Sequence, residues 1–457
     1  MIGIGILEGS LLSTFTVGAF LAICAAVALC PESPRSKFSV FLYKVFVVSF
    51  MIRVVVTFCT HLWLVQAVPD PFWHWGGDVG GDEYNFFHFS EKWVNVFLSG
   101  NYWTEPDPYH SDYLAWIYSL GFIRYIGVVL DGDTIFNTKL LSCFYSALVV
   151  PFIYLLAKKL LNKTTAYRAA LVACFLPDYL WLGSSIARDT MISCLIAVVI
   201  YQAVMITRKG GFRFWRCFVI LLLIFFVLPH LKTWLSIMLV MLMTAWWFWE
   251  RSSERIYVRG AMVLLFLTLL VPLIMTELGN ALIQLFLYSG ESIGMAQRLA
   301  TERLGGIEGA GPGSLGAKIL SLPVYIYVPV NMVQQLVFIP PWGGINAFGF
   351  VPRAIAETVV MFSWIWLAAF VPAGTLNCLR RQYRDRSIWI WGTALVLIFF
   401  LALASAVRLR WRLMAMPFLV IIIAHGMMSA RYRWTVIYSA IGVVTLLVTY
   451  AFLKILI

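Results

Sequence analysis

The sequence predicts an all-α membrane protein that crosses the bilayer roughly 12–14 times. Two features of its 457 residues support this class: 61% are hydrophobic and only 12% are charged. Soluble domains carry about a quarter charged residues. In addition, apolar runs near the ~20 residues that a spanning helix needs recur from one end of the sequence to the other.

The first apolar run, at about residues 10–30, has no basic segment before it, so we expect a retained helix rather than a cleaved signal. A second span, at about 39–67, leads into an acidic loop. Residues 83–98 alternate aromatic and polar side chains at loosely helical spacing, which is typical of a helix lying in the membrane interface. We expect 113–130 to dip into the membrane or be partly inserted, 320–339 to be an apolar segment that ends at Pro340, and 169–183 to be one outward span.

The net charge of +12 does not indicate nucleic-acid binding, because the basic residues fall into short loops between apolar runs. Residues 68–112 hold eight acids and one basic residue, Lys92. The positive-inside rule therefore places this acidic segment outside. The acids are Asp70, Asp78, Asp82, Glu83, Glu91, Glu105, Asp107 and Asp112.

The eight cysteines lie in or beside predicted spans, and none has the Cys-x-x-Cys spacing of a zinc site or redox motif. Buried cysteines behave as small apolar residues. We therefore expect these residues to serve packing.

The acidic segment contains the main candidate for chemistry, the sequence Gly-Gly-Asp-Val-Gly-Gly-Asp-Glu-Tyr at residues 76–84. Glycines allow close approach of another molecule, and Asp82 and Glu83 at a membrane edge need water, a metal, a cation or a proton. Asp82 would act as a general base or as a metal ligand. Alternatively, these acids only keep the loop soluble and fix its topology.

A second acidic position, Asp189, follows Arg188 in another predicted outer turn. Asp189 and Asp82 would converge from two loops on one acceptor hydroxyl or one metal ion. The alternative is that Asp189 pairs locally with Arg188 or caps the next helix. Among the histidines near the acidic loop, His88 is the best candidate metal ligand.

Three arginines, Arg408, Arg410 and Arg412, form a cluster that our topology places at the outer membrane edge. Guanidinium groups bind phosphate oxygens in pairs, so a lipid phosphate or diphosphate is the natural partner. The alternative is an inverted local topology with ordinary cytoplasmic anchors. Lys232 is a further outer cation that would contact a phosphate.

The order of these motifs resembles bacterial members of the GT-C superfamily of membrane glycosyltransferases. These include the dolichyl-phosphate-mannose protein mannosyltransferases and the lipid A aminoarabinose transferases. The resemblance extends over about 39–206 and rests on the Gly-Asp-Glu-Tyr motif at 81–84, the Ala-Lys-Lys-Leu-Leu-Asn-Lys segment at 157–163, and Arg188-Asp189. The Arg-Trp-Arg-Leu-Met-Ala-Met-Pro sequence at 410–417 is similar to distant members.

This resemblance implies an inverting transferase that moves a sugar from a polyprenyl-phosphate donor to a lipid-linked or cell-envelope glycan acceptor. The reaction would take place at the outer face of the cytoplasmic membrane, facing the periplasm or cell exterior, among membrane lipids. Asp82 and Glu83 would be catalytic and Asp189 would assist them. The outer arginines, Lys232, Arg188 and Tyr84 would contact the substrates.

No cofactor is certain, although a divalent cation such as Mg²⁺ or Mn²⁺ would fit Asp82, Asp189 and His88.

The resemblance also implies three parts of the chain. These are an additional N-terminal helix at 1–38; a catalytic module at 39–206 with its outer loop at 67–112; and a variable module at 207–457, with an outer loop at 276–318 and the arginine cluster at 408–412.

Two other classes remain open. A polysaccharide polymerase or O-antigen ligase would use outer arginines without the acidic motif. A lipid-linked oligosaccharide flippase or another transporter would place charges deep in the membrane, where Arg53 and Glu357 are the candidates.

Overall fold

The structure is a computed structural model of the chain. It describes residues 11–29, 37–67, 82–100, 113–130, 132, 135–206, 212–251, 324–337, 345–346, 349–350, 352–380, 382–403, 412–428 and 433–456. The predicted outer loop at 276–318 and the predicted span at 258–275 lie outside the described residues.

The described residues form sixteen helices, which confirms the predicted all-α class. In chain order these are α1 Leu11–Leu29, α2 Lys37–Ala67, α3 Asp82–Ser99, α4 Leu114–Val129, α5 Ile135–Leu160, α6 Lys163–Phe175, α7 Pro177–Gly183, α8 Arg188–Ile206, α9 Phe212–Val227, α10 Pro229–Arg251, α11 Val324–Val337, α12 Pro352–Ala368, α13 Phe370–Cys378, α14 Arg384–Leu403, α15 Met416–Gly426 and α16 Arg433–Leu456. The one departure is a two-residue antiparallel pair, β1 Ile345–Asn346 with β2 Gly349–Phe350.

Five helices of the described chain are long and apolar enough to cross a membrane, namely α1, α2, α5, α8 and α14. Five shorter apolar segments lie in α4, α9, α10, α15 and the region of α12 and α13. Because the bilayer core has no water to satisfy the backbone, helices of this kind are the expected way to cross it. The chain is thus a multi-pass membrane protein.

The chain divides into two compact units. The first comprises residues 1–201, 226–231 and 340–363, and the second comprises 202–225, 232–339 and 364–457. The candidate N-terminal helix α1 and most of the predicted catalytic module belong to the first unit.

Helix α5 is the centre of the first unit, and nearly all of its residues are buried. Its start is tied to α1: Thr14 Oγ1 donates to Asn137 Oδ1 at 2.7 Å, and Asn137 Nδ2 donates to Ser13 Oγ at 3.0 Å. Its last turn carries Lys158 and Lys159. The two ends of α5 therefore differ in kind, with a buried polar network at one end and basic residues at the other.

The predicted single span at 169–183 is wrong, because the structure has two helices there, α6 and α7. The break falls at Leu176, whose backbone is extended (φ −63°, ψ 119°). Pro177 causes it, since proline lacks an amide hydrogen and disfavours helical geometry in the residue before it. Both α6 and α7 pack against α5, and the chain returns along them to the start of α5.

The predicted interfacial helix at 83–98 is confirmed as a helix, α3, and packs closely against α4. A Cβ added to Gly121 of α4 would lie 2.5 Å from the Cβ of Trp93, so only glycine allows this approach. Arg124 of α4 donates to the carbonyl of Phe87 at 2.7 Å and to Ser90 Oγ at 3.1 Å. At sixteen residues α4 is about 24 Å long, shorter than the ~30 Å hydrocarbon core.

Arg53 lies within α2 and is fully buried. A transporter would also place a charge deep in the membrane. However, its guanidinium donates to the carbonyls of Ala173 at 3.0 Å and Cys174 at 3.4 Å, in the last turn of α6, and to the carbonyl of Ser49 at 3.0 Å. Cations stabilise helix C-termini in this way. Arg53 thus joins α2 to α6, while the side chain of Glu357 lies outside the described residues.

In the second unit, α13 and α15 cross at two glycines. A Cβ added to Gly374 would clash with the carbonyl oxygen of Ile422, and one added to Gly426 would clash with the carbonyl oxygen of Phe370. Small residues permit close backbone contact of this kind between membrane helices. The crossing therefore depends on the absence of both side chains.

We expect Gly374→Ala to lower the free energy of unfolding by about 1–3 kcal/mol, because the new methyl group must displace the α15 backbone. Thermal unfolding in detergent, followed by tryptophan fluorescence, measures this. The control is Gly442→Ala in α16, where an added Cβ meets nothing within 4 Å. This substitution should leave stability unchanged or raise it by up to about 1 kcal/mol. An equal effect of both substitutions would contradict the close crossing.

Candidate functional site

The last acid of the acidic motif, Glu83, lies in the first turn of α3 and contacts both α5 and the turn before α8. Glu83 is completely buried. Its Oε1 accepts a hydrogen bond of 2.8 Å from the backbone amide of Ile186 and lies 3.8 Å from Nζ of Lys139. Asp82 is the first residue of α3, but its side chain lies outside the described part of the chain.

The turn that receives Glu83 leads into α8. Position 187, just before α8, is alanine, which cannot cap a helix with its side chain. The amide of Ala187 donates to Ser142 Oγ of α5 at 3.2 Å, next to the Ile186 amide that donates to Glu83. Two side chains from distant helices thus satisfy consecutive amides at the start of α8.

Asp189 lies in the first turn of α8 and is only 2% exposed. Its Oδ1 finds no hydrogen-bond donor among the described residues. The helix dipole favours a carboxylate at this position, but burying one with an unsatisfied oxygen is costly. This residue is therefore the kind of group that a fold retains for a task other than stability.

Arg188 is 9% exposed and directs its guanidinium toward the ring of Tyr113, with 3.9 Å from Cζ to the ring centroid. It also donates to the carbonyl of Leu231 at 3.2 Å. The ring of Phe86, from α3, lies 5.5 Å from that of Tyr113. The cation beside Asp189 is thus linked to α3 through an aromatic pair.

The other candidates on α3 lie toward its surface. The ring of Tyr84 lies 4.0 Å from the ring of His88, which is exposed. No three histidine, cysteine, aspartate or glutamate side chains of the described chain come together as a metal site. The predicted set of Asp82, Asp189 and His88 stays a prediction, since it includes the undescribed side chain of Asp82.

Two of the predicted phosphate contacts are described in the second unit. Arg412 is 1% exposed, and its Cζ lies 4.4 Å from the ring centroid of Trp364. Lys232 is 6% exposed and interrupts the helical geometry of α10 with φ −161° and ψ 104°. Arg408 and Arg410 lie outside the described residues.

Sequence reasoning missed Lys139 and Ser142, which hold the turn before α8. Both lie in the first two turns of α5 and are completely buried. A usable signal was present: Asn137, Thr138, Lys139 and Ser142 are unusually polar for the start of an apolar span. In membranes such residues generally face the protein interior and have partners there.

The acids and the basic loop lie at opposite ends of α5. Lys139 and Lys159 are twenty residues apart on this helix, which at 1.5 Å per residue is about 30 Å, the thickness of the hydrocarbon core. Glu83 and the turn before α8 are at the Lys139 end. The charge asymmetry seen in the sequence is therefore also an asymmetry in space.

No protein-family model matches the chain, and no curated protein sequence matches it. Among solved structures, the chain is similar to a crystal structure of the Archaeoglobus fulgidus oligosaccharyltransferase in complex with zinc and sulfate. The similarity covers 87% of this chain and 51% of that one, at 13% identity and a TM-score of 0.43. The chain thus spans about half the length of that protein.

The contact of Arg188 with Tyr113 predicts a specific pattern of stability. We expect Tyr113→Leu to lower the free energy of unfolding by about 1–2 kcal/mol, because a buried guanidinium loses its aromatic partner. Tyr113→Phe keeps the ring and should change stability by less than about 0.5 kcal/mol. Thermal unfolding in detergent compares the two variants. Equal losses would show that the hydroxyl group, rather than the ring face, matters.

Proposed function

We propose that the protein is a GT-C-type membrane glycosyltransferase that moves a sugar from a polyprenyl-phosphate donor to a lipid-linked or cell-envelope glycan acceptor. The observation that carries this proposal is the hydrogen bond from Ile186 to Glu83. It joins the end of the acidic motif to the turn that presents Asp189, a buried acid with an unsatisfied oxygen. Two acids from separate segments thus belong to one region, where one can accept the proton of a hydroxyl group and the other can orient that group.

In the proposed reaction the acceptor hydroxyl attacks the anomeric carbon of the donor sugar. The new carbon–oxygen bond forms as the bond to the phosphate oxygen breaks, and polyprenyl phosphate leaves with the bonding electrons. Asp82 accepts the hydroxyl proton as general base, while Asp189 orients the acceptor. Attack from the face opposite the phosphate inverts the configuration of the sugar.

The leaving phosphate gains negative charge, so nearby cations lower the barrier. We assign this role to the arginine cluster of Arg408, Arg410 and Arg412, with Lys232 and Arg188 as further cations and Tyr84 as a contact to the sugar. The contact of Arg412 with Trp364 supports the assignment in one respect: a guanidinium stacked on an indole is held in a fixed orientation and can still donate at its edge.

The proposed site faces the periplasm or cell exterior from the cytoplasmic membrane. Support comes from Lys158 and Lys159, which lie at the end of α5 opposite Glu83. Basic residues remain on the cytoplasmic side, so the acids should lie on the other. Polyprenyl-linked donors and envelope acceptors would then share one membrane leaflet with the site.

A divalent cation would require several carboxylate or imidazole ligands. Among the described residues, one buried carboxylate oxygen lacks a hydrogen bond, on Asp189, and together with the exposed ring of His88 it does not form such a set. We therefore route no step through a metal ion.

The proposal predicts that Asp82→Asn abolishes transfer without loss of protein. A strain lacking the gene would be complemented with wild type, Asp82→Asn or Asp385→Asn, and its lipid-linked glycans and surface polysaccharide compared by mass spectrometry. Loss of a general base lowers rates by about 10²–10⁴-fold, so the sugar should be missing with Asp82→Asn. Asp385 is a half-exposed acid in the first turn of α14 and serves as the matched control. An unchanged product, or flux without bond formation in proteoliposomes, would refute the enzyme.

For Asp189→Asn we expect opposite effects on activity and stability. Replacing a buried, partly unsatisfied carboxylate with an amide removes a desolvation cost, so the melting temperature should stay constant or rise. Transfer should nevertheless fall by about tenfold or more. A large loss of both stability and transfer would instead indicate a structural acid.

A further inference from the structure

The start of α8 rests on a polar stripe of α5 that sequence reasoning did not single out. Lys139, Ser142, Cys143 and Ser146 follow the spacing of one helix face, i, i+3, i+4 and i+7. All four side chains are completely buried. These four buried polar groups of α5 thus lie on the face where α7 ends and α8 begins.

Cys143 and Ser146, the two members of the stripe farther along α5, contact the end of α7. Cys143 Sγ donates to the carbonyl of Gly183 at 3.2 Å and lies 3.0 Å from Thr57 Oγ1 of α2. A Cβ on Gly183 would lie 2.6 Å from Ser146 Oγ, so the backbone there is pressed against α5. These contacts fix the position of Gly183 along the axis of α5.

Lys139 and Ser142, the two members nearer the start of α5, hold the turn before α8. Ser142 Oγ accepts from Ala187, and Lys139 lies against the carboxylate that accepts from Ile186. A buried carboxylate is a strong acceptor only while it is charged, and a charge in this setting needs a nearby cation. The acceptor at Ile186 therefore depends on the lysine on α5.

We infer that Lys139 is a positioning residue: it holds Glu83 as the charged acceptor of the Ile186 amide, which we call the cap of the turn before α8, and thereby sets Asp189 against the end of the acidic motif. Glu83 is then a positioning residue too, because its carboxylate is engaged with Ile186 rather than available for proton transfer. The role in catalysis rests on the proposed function, but the capping role does not. Helix α8 begins at Arg188, two residues after Ile186, so a movement of the turn also moves Asp189.

The first test measures the hydrogen bond from Ile186 to Glu83 through hydrogen exchange and needs no enzymatic reaction. Hydrogen exchange of the 184–190 segment would be compared by mass spectrometry in nanodiscs for wild type, Lys139→Arg, Lys139→Met and Lys158→Met. We expect Lys139→Met to speed exchange of this segment by about tenfold or more, because the acceptor of Ile186 weakens. Lys139→Arg should stay close to wild type. Lys158→Met, at the far end of the same helix, is the matched control and should have no effect there.

The second test reads transfer. If the wild type forms product, Lys139→Met should lower kcat by about tenfold or more while KM stays within about twofold, because a displaced acid affects the transition state more than binding. Lys139→Arg should recover most of kcat. The double variant Glu83→Gln with Lys139→Met should be no worse than Lys139→Met alone, since both changes break one cap.

The outcomes separate the two proposals. Faster exchange in Lys139→Met without any product from wild type would support the cap and refute the glycosyltransferase. Unchanged exchange in Lys139→Met would overturn the inference, whatever the activity. If Lys139→Met does not fold, Glu83→Gln keeps the shape of the side chain and removes its charge, and the same exchange measurement applies: faster exchange supports the cap and unchanged exchange overturns it.

Discussion

The structure of the first unit depends on one buried carboxylate. Glu83 accepts a hydrogen bond from Ile186 and lies near Lys139, and all of this occurs at the edge of a hydrophobic environment. An isolated charge in such a place is very costly, whereas a charge with a cation and a backbone donor is tolerated. Separating any one of the three segments would leave an uncompensated buried charge or an unpaired amide, so the three must stay together.

The chain between α5 and α8 is irregular, and its last turn depends on this carboxylate. The chain leaves the basic end of α5, breaks at Pro177 and arrives at the start of α8 with alanine in the capping position. The amides of Ile186 and Ala187, which precede α8, obtain their acceptors from α3 and α5, so the turn that leads into α8 depends on the tertiary fold.

The same reasoning distinguishes structural charges from candidate functional ones. Arg53 is buried, but backbone carbonyls at the end of α6 accept its hydrogen bonds, so it has a clear structural task. Asp189 is buried as well, yet one of its oxygens has no donor in the described structure. A membrane protein that keeps such an oxygen gives up stability at that position, which is the pattern expected where a substrate supplies the missing partner.

Composition and hydropathy by themselves determined the all-α membrane class, the helix at 83–98 and the placement of the acids opposite the basic loops, because each follows from the energetics of residue types in a bilayer. The break at Pro177 had a local signal that the hydropathy run concealed. The partnership of Glu83 with Ile186 and Lys139 had none, since these residues are 103 and 56 positions from Glu83 in the sequence. Only the tertiary structure decided which of the buried polar groups satisfy one another, because that depends on which helix faces meet and not on the composition of any one helix.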